Sequence, residues 1–102
     1  MSKKLPAIHP GEILLEEFMS PMGLSSNALA GALGVTPARI NEIVRGKRGI
    51  SADTALRLAR YFGTDAQSWL NLQQTYDIHC AQDSLGKALS AIRPWRAEKA
   101  AA

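Results

Sequence analysis

Cysteine, histidine and aromatic side chains are scarce in this chain, and each scarcity removes a class of protein. Cys80 is the single cysteine, so no internal disulfide framework can form, and a lone thiol suits a reducing cytosol. His9 and His79 are the two imidazoles, and neither stands at metal-ligand spacing from another histidine, or from Cys80 beyond bare adjacency. No Gly-rich phosphate loop occurs, and Glu16-Glu17 reads as a solvated helix face rather than an acid/base pair. An enzyme is therefore not expected, and no cofactor is implied. No apolar run approaches the ~20 residues that span a bilayer, and no secretory segment follows Lys3 and Lys4, so no membrane association is expected. Period-two alternation is missing throughout. The expected fold class is all-α.

What the chain does have is a 46% hydrophobic content over 102 residues, enough for one domain with one small core. Its most informative stretch is Ser26 to Arg45, SNALAGALGVTPARINEIVR. Leu29 and Leu33 lie four apart and share one helix face. Gly34 interrupts the pattern as a residue able to take positive φ. Thr36 and Pro37 restart it, with a hydroxyl for the N-cap and a ring preset to helical φ. Ile40, Ile43 and Val44 then form the next inward face. Two short helices joined by a glycine-containing turn outline a helix-turn-helix, whose second helix can enter a DNA major groove.

The chemistry of that second helix favours the same ligand. A step of about 100° per residue turns Ala38, Arg39, Asn41, Glu42 and Arg45 outward when the isoleucines face in. Arg can pair bidentately with guanine and Asn with adenine, while Ala lets the backbone approach the bases. The bland alternative is a solvated face on which Glu42 bridges Arg39 or Arg45. Charge distribution weighs against it. The net charge is only +3, but residues 36–60 hold Arg39, Arg45, Lys47, Arg48, Arg57 and Arg60 against Glu42 and Asp53. Residues 61–83 hold only the acids Asp65, Asp77 and Asp83. Positive charge thus gathers on and just after the reading helix, as a phosphate-facing surface requires.

Along the rest of the chain, residues 1–8 read as a flexible arm. A first helix is expected from about Gly11 to Met19, ended or kinked at Ser20-Pro21. Leu14, Leu15, Phe18, Met19 and Met22 form its apolar arc, with Ile13 outside among Glu12, Glu16 and Glu17. Ser25 or Ser26 caps the second helix, and either hydroxyl is also well placed for a phosphate. Ser51 caps a fourth helix of about Ala52 to Phe62, with Ala55, Leu58, Ala59 and Phe62 inward. Thr64-Asp65-Ala66-Gln67 has a capping-box pattern that opens a fifth helix to about Gln82. Trp69, Leu72 and Tyr76 on that helix are the residues expected at a homodimer interface, Trp69 serving chiefly as core. The helix-turn-helix domain is set at residues 9–83. Residues 84–102 form a basic C-terminal tail, either disordered or carrying a short sixth helix on Leu85, Leu89 and Ile92.

Leu29, Ala30, Leu33, Gly34, Val35, Ile40 and Ile43 meet the spacing of the lambda-repressor-like, or XRE-type, helix-turn-helix proteins. More narrowly, HPGEILLEEFM at 9–19, NEIVRGKRGISADTALRLARYFGT at 41–64 and SWLNLQQTYDI at 68–78 resemble the HigA antitoxins. The resemblance covers about residues 8–80. It implies a five-helix lambda-repressor-like domain and a type II antitoxin that neutralises a HigB-like, mRNA-cleaving toxin. It implies further a homodimer that represses its own operon at a palindromic operator in double-stranded DNA. Carried onto this chain, the groove-reading positions are Thr36, Ala38, Arg39, Asn41 and Arg45, and phosphate contacts fall on Ser25, Ser26, Lys47 and Arg48. Because RNA-cleaving toxins tend to be basic, the acidic rim around Ile13 is the surface expected to complement one. Two other readings stand beside this one: a stand-alone XRE-type repressor without a toxin, and a protein-interaction module lacking DNA binding. The latter would be suggested by acids at 39 and 47, where this chain has Arg39 and Lys47.

Overall fold

The computed structural model describes residues 7–95; residues 1–6 of the expected arm and 96–102 of the expected tail lie outside it. Five helices follow one another, with no strand among the described residues.

Helix α1 is continuous through three pieces, Pro10–Ile13, a wider π-type segment Leu14–Met19, and Ser20–Met22. His9 caps it, its Nδ1 accepting from the Gly11 amide at 2.9 Å, and Pro10 supplies the preset φ. Pro21 does not end the helix. The ring of a helical proline clashes with the carbonyl four residues back, and the widened turns just before Pro21 relieve that clash. The stop comes instead at Gly23, in the left-handed region at φ 65°, where Leu24 N–H closes back on Met19 O at 2.8 Å.

Helices α2 (Ser26–Leu33), α3 (Pro37–Val44) and α4 (Ala52–Phe62) begin where the sequence places them. Ser25, Thr36 and Ser51 cap them through side-chain bonds to Ala28, Arg39 and Thr54 amides. Helix α5 (Ala66–Ala91) departs from expectation at both ends. Its cap is Asp65, which accepts from the Ser68 amide at 3.0 Å, while the Thr64 hydroxyl accepts from Trp69 Nε1 at 2.9 Å. Its far end runs past Gln82 to Ala91, because nothing before Pro94 breaks the pattern set by Leu85 and Leu89. At 26 residues it is about 39 Å long, and each of its residues from Ala81 to Ala91 is exposed.

The core gathers one to three side chains from each helix: Leu14 and Met19; Leu29, Ala30 and Leu33; Ile40 and Ile43; Ala55 and Leu58; and Trp69. Ile50, in the loop before α4, joins them. Phe18 packs against Phe62 and Trp69 with ring centroids 4.8 and 5.2 Å apart. Ile13 is not the exposed residue an ideal helical wheel makes it. The start of α1 lies between α3 and α5, and Ile13 is half-buried against the core beside Leu72 and Tyr76.

Candidate nucleic-acid interface

The geometry of α3 is fixed by the turn before it. Gly34 takes φ 73°, and Val35 N–H reaches Ala30 O at 3.0 Å, so α2 closes with a left-handed residue and α3 can start three residues later, at Pro37. Arg57 of α4 secures this corner. Its Nη1 donates to Leu33 O at 2.8 Å and to Gly34 O at 3.4 Å, satisfying carbonyls that the end of α2 leaves open. Arg57 reads from sequence as one more outward cation; nothing local reveals a bond across 24 residues.

On α3, Ala38 and Asn41 are exposed, and Arg45 at the cap position is exposed beside them. Arg45 and Lys47 have no ion-pair partner among the described residues. Arg48 does: its Nε and Nη2 both lie 2.8 Å from Glu42 Oε1. Glu42 thus bridges neither Arg39 nor Arg45. A half-exposed pair of this kind contributes no more than about 1 kcal/mol, so Arg48 can exchange Glu42 for a phosphate at little loss. Thr36 and Ser25 spend their oxygens as acceptors in capping and keep their hydroxyl hydrogens to donate, while Ser26 is half-buried in the first turn of α2.

Arg39 is the expected residue whose surroundings differ most. Its side chain is 29% exposed and leans toward the start of α4, where Nη1 bonds Asp53 Oδ1 at 2.9 Å and Thr54 Oγ1 at 3.3 Å. Asp53 also accepts from Arg57 Nε at 2.7 Å, and these two guanidinium hydrogen bonds, Arg57 first, hold its carboxyl below the usual carboxylate range.

The basic loop between α3 and α4 is tied down from α5. Gln73 Oε1 accepts from the Ile50 amide at 2.7 Å, and Gln73 Nε2 donates to Asp77 at 2.9 Å. His9 completes the support: its ring packs edge-on to Tyr76 at 4.8 Å and lies beside Gly46 at the end of α3. Burial pushes the His9 imidazole below its ordinary pKa, with Asp77 opposing. Neither Gln73 nor His9 carries a sequence signal for this role.

Of the residues expected at a dimer interface, Trp69 is 3% exposed and packs inside the protomer, so it presents no surface to a partner. Leu72 is 38% exposed and Tyr76 half-buried, both lining a shallow recess with Ala7, Ile8, Ile13 and His79.

Comparison with known proteins meets this geometry. Residues 15–69 match the helix-turn-helix family HTH_3. Virulence-associated protein I of Dichelobacter nodosus is 70% identical over 79 residues, spanning 78% of this chain and 73% of its own. Antitoxin HigA-1 of Vibrio cholerae is 31% identical over 93 residues, spanning 91% of this chain and 87% of its own. The solved structure of Pseudomonas aeruginosa antitoxin HigA with the higBA promoter superposes with a TM-score of 0.84 at 50% identity, covering 86% of this chain and 97% of that one. The chain belongs to the XRE-type helix-turn-helix family HTH_3, with HigA antitoxins as its structural neighbours.

Proposed function

We propose that this protein is an operator-binding antitoxin: a homodimer that binds a palindromic site in its own promoter and neutralises a HigB-like, mRNA-cleaving toxin in the cytoplasm. The observation that carries the DNA half is the exposed face of α3, with Ala38, Asn41 and Arg45 side by side and Lys47, without an ion-pair partner among the described residues, directly beyond. Asn41 and Arg45 are the groups that match base edges, Arg39 offers its remaining donors beside them, and small Ala38 permits close approach. Thr36, Ser25, Ser26, Lys47 and Arg48 are the phosphate-facing set; they fix register and add affinity for every sequence alike. The likeness to a HigA solved with promoter DNA supports the same reading.

Two reading helices on one two-fold axis meet half-sites centred about 34–36 Å apart, or a multiple of that. The half-exposed Leu72 and its neighbour Tyr76 on α5 are the surface we assign to the dimer contact. Their apolar recess is continuous with Ile13 and Ile8, which gives a partner something to cover.

Fluorescence anisotropy on the duplex upstream of the gene, against a random duplex of equal length, tests the DNA half. Asn41→Ala should weaken the upstream duplex by about 1–3 kcal/mol and leave the random one unchanged, while Arg45→Ala should weaken the upstream duplex more than the random one. Equal binding of both duplexes by the wild type refutes operator recognition. Co-expression with the adjacent reading frame tests the toxin half. Operator binding beside a neighbour that is not toxic leaves the stand-alone repressor.

A further inference from the structure

Asp53 belongs neither to the exposed face of α3 nor to the basic loop, yet one of its oxygens holds two arginines. Arg39 Nη1 lies 2.9 Å from Asp53 Oδ1, and Arg57 Nε lies 2.7 Å from the same atom. The same Nη1 reaches Thr54 Oγ1 at 3.3 Å; Thr54 is 2% exposed and is held in turn by Ser51. Arg57 is anchored independently, through its Nη1, to the carbonyls of Leu33 and Gly34. Asp53 therefore stands on a fixed base and grips the Arg39 guanidinium at one corner only. Nε and Nη2 of Arg39 have no partner among the described residues. Those two donors form the edge of a guanidinium that pairs bidentately with guanine O6 and N7.

We propose that Asp53 is a positioning residue for base recognition: by holding Nη1 of Arg39 against the start of α4, it presents the Nε–Nη2 edge in one orientation to a guanine in the operator. The inference rests on the reading of this protein as a DNA binder and deepens it. A free arginine samples many rotamers and must be ordered on binding, and a freed one can also reach whichever phosphate is nearby. A buttressed arginine avoids both. It adds little to random sequence and is ready for one base pair. Asp53 thus raises the ratio of specific to non-specific affinity without touching DNA.

The test is a double-mutant cycle on Arg39 and Asp53, read as affinity for the upstream duplex, for single-base variants of it, and for a random duplex. A bidentate Arg–guanine pair discriminates by roughly 5- to 150-fold. Asp53→Asn should remove part of this, lowering preference for G at one operator position by about fivefold while random-duplex affinity holds or rises. In an Arg39→Ala background, Asp53→Asn should leave base preference unchanged. Arg39→Lys should lose the preference as fully as Arg39→Ala, since an ammonium can meet Asp53 but lacks the second edge. That last variant keeps the ion pair and so reads out recognition even if Asp53→Asn folds poorly. The inference is overturned if Asp53→Asn weakens upstream and random duplexes by one common factor, if its effect on preference survives in Arg39→Ala, or if Arg39→Lys retains the preference. A wild type that prefers no upstream sequence removes the DNA reading itself, and this inference with it.

Discussion

Replacing Gly11 by Ala tests how the first helix supports α3. Gly11 is buried at the start of α1, directly against the last turn of α3. A Cβ built there collides with the Ile43 carbonyl oxygen, sits 2.6 Å from the Ile43 carbonyl carbon, and reaches 3.0 Å from His9 Nδ1. The first two obstacles are backbone, so no side-chain rotation relieves them. The helix start must move away from α3, and the third contact means that the His9 cap moves too. Overpacking of this kind costs about 1–3 kcal/mol, and loss of a cap adds about 1 kcal/mol. Against this, Gly→Ala inside a helix gains about 0.5–1 kcal/mol from backbone entropy and propensity. The net is a destabilisation of about 1–3 kcal/mol. For a domain of this size that lowers Tm by roughly 4–8 °C per kcal/mol, a shift that circular dichroism melts resolve easily. Gly31→Ala supplies the internal contrast. Gly31 lies in the middle of α2 with nothing within 4 Å of its Cβ position, so the same substitution there should raise Tm. An unchanged or raised Tm for Gly11→Ala would refute the argument that α1 is seated on the Ile43 backbone.

Acid titration should separate two groups. The folded pKa of His9 lies below 6.5, so its neutral form stabilises the protein above pH 6.5; stability falls with pH below that until the folded pKa is passed, and His9→Asn should abolish this limb in urea titrations. The folded pKa of Asp53 lies below 3.8, so its contribution is intact above that value and is lost at lower pH, a second limb that Asp53→Asn removes. Thr36→Ala should destabilise by about 1 kcal/mol through loss of the α3 cap, measured by chemical denaturation. Lys47→Ala should weaken all duplexes alike and flatten the salt dependence by about one unit of slope, whereas Asn41→Ala should leave that slope alone. Leu72→Glu should give a monomer or an unfolded chain in sedimentation; an unchanged dimer moves the contact elsewhere.

How far the sequence reaches into this molecule depends on the range of the interaction concerned. Gly34, Thr36 and Pro37 announce the turn and the start of α3 because caps and positive-φ glycines act within a few residues. The α3 core face is legible for the same reason: Ile40 and Ile43 recur at helical spacing and both are fully buried. Where a local rule meets an adjustable backbone, the rule fails. Pro21 signals a stop or a kink; the wider Leu14–Met19 segment lets the helix pass through it, and Gly23 ends it. The fifth helix shows the opposite error, since weakening amphipathicity after Gln82 reads as an ending although only a breaker such as Pro94 supplies one. What stays hidden is tertiary. Arg39 and Arg57 look alike on a helical wheel, both outward and both basic. One caps a helix 24 residues away and the other is held across 14 residues by a carboxylate, because α4 begins beside the start of α3. Burial of a whole face can be read from period. Which of two outward arginines is held by side chains and which also caps a distant backbone cannot, because it depends on where another helix begins. Here that beginning is Ser51 to Thr54, and from it Asp53 gathers both arginines on one oxygen.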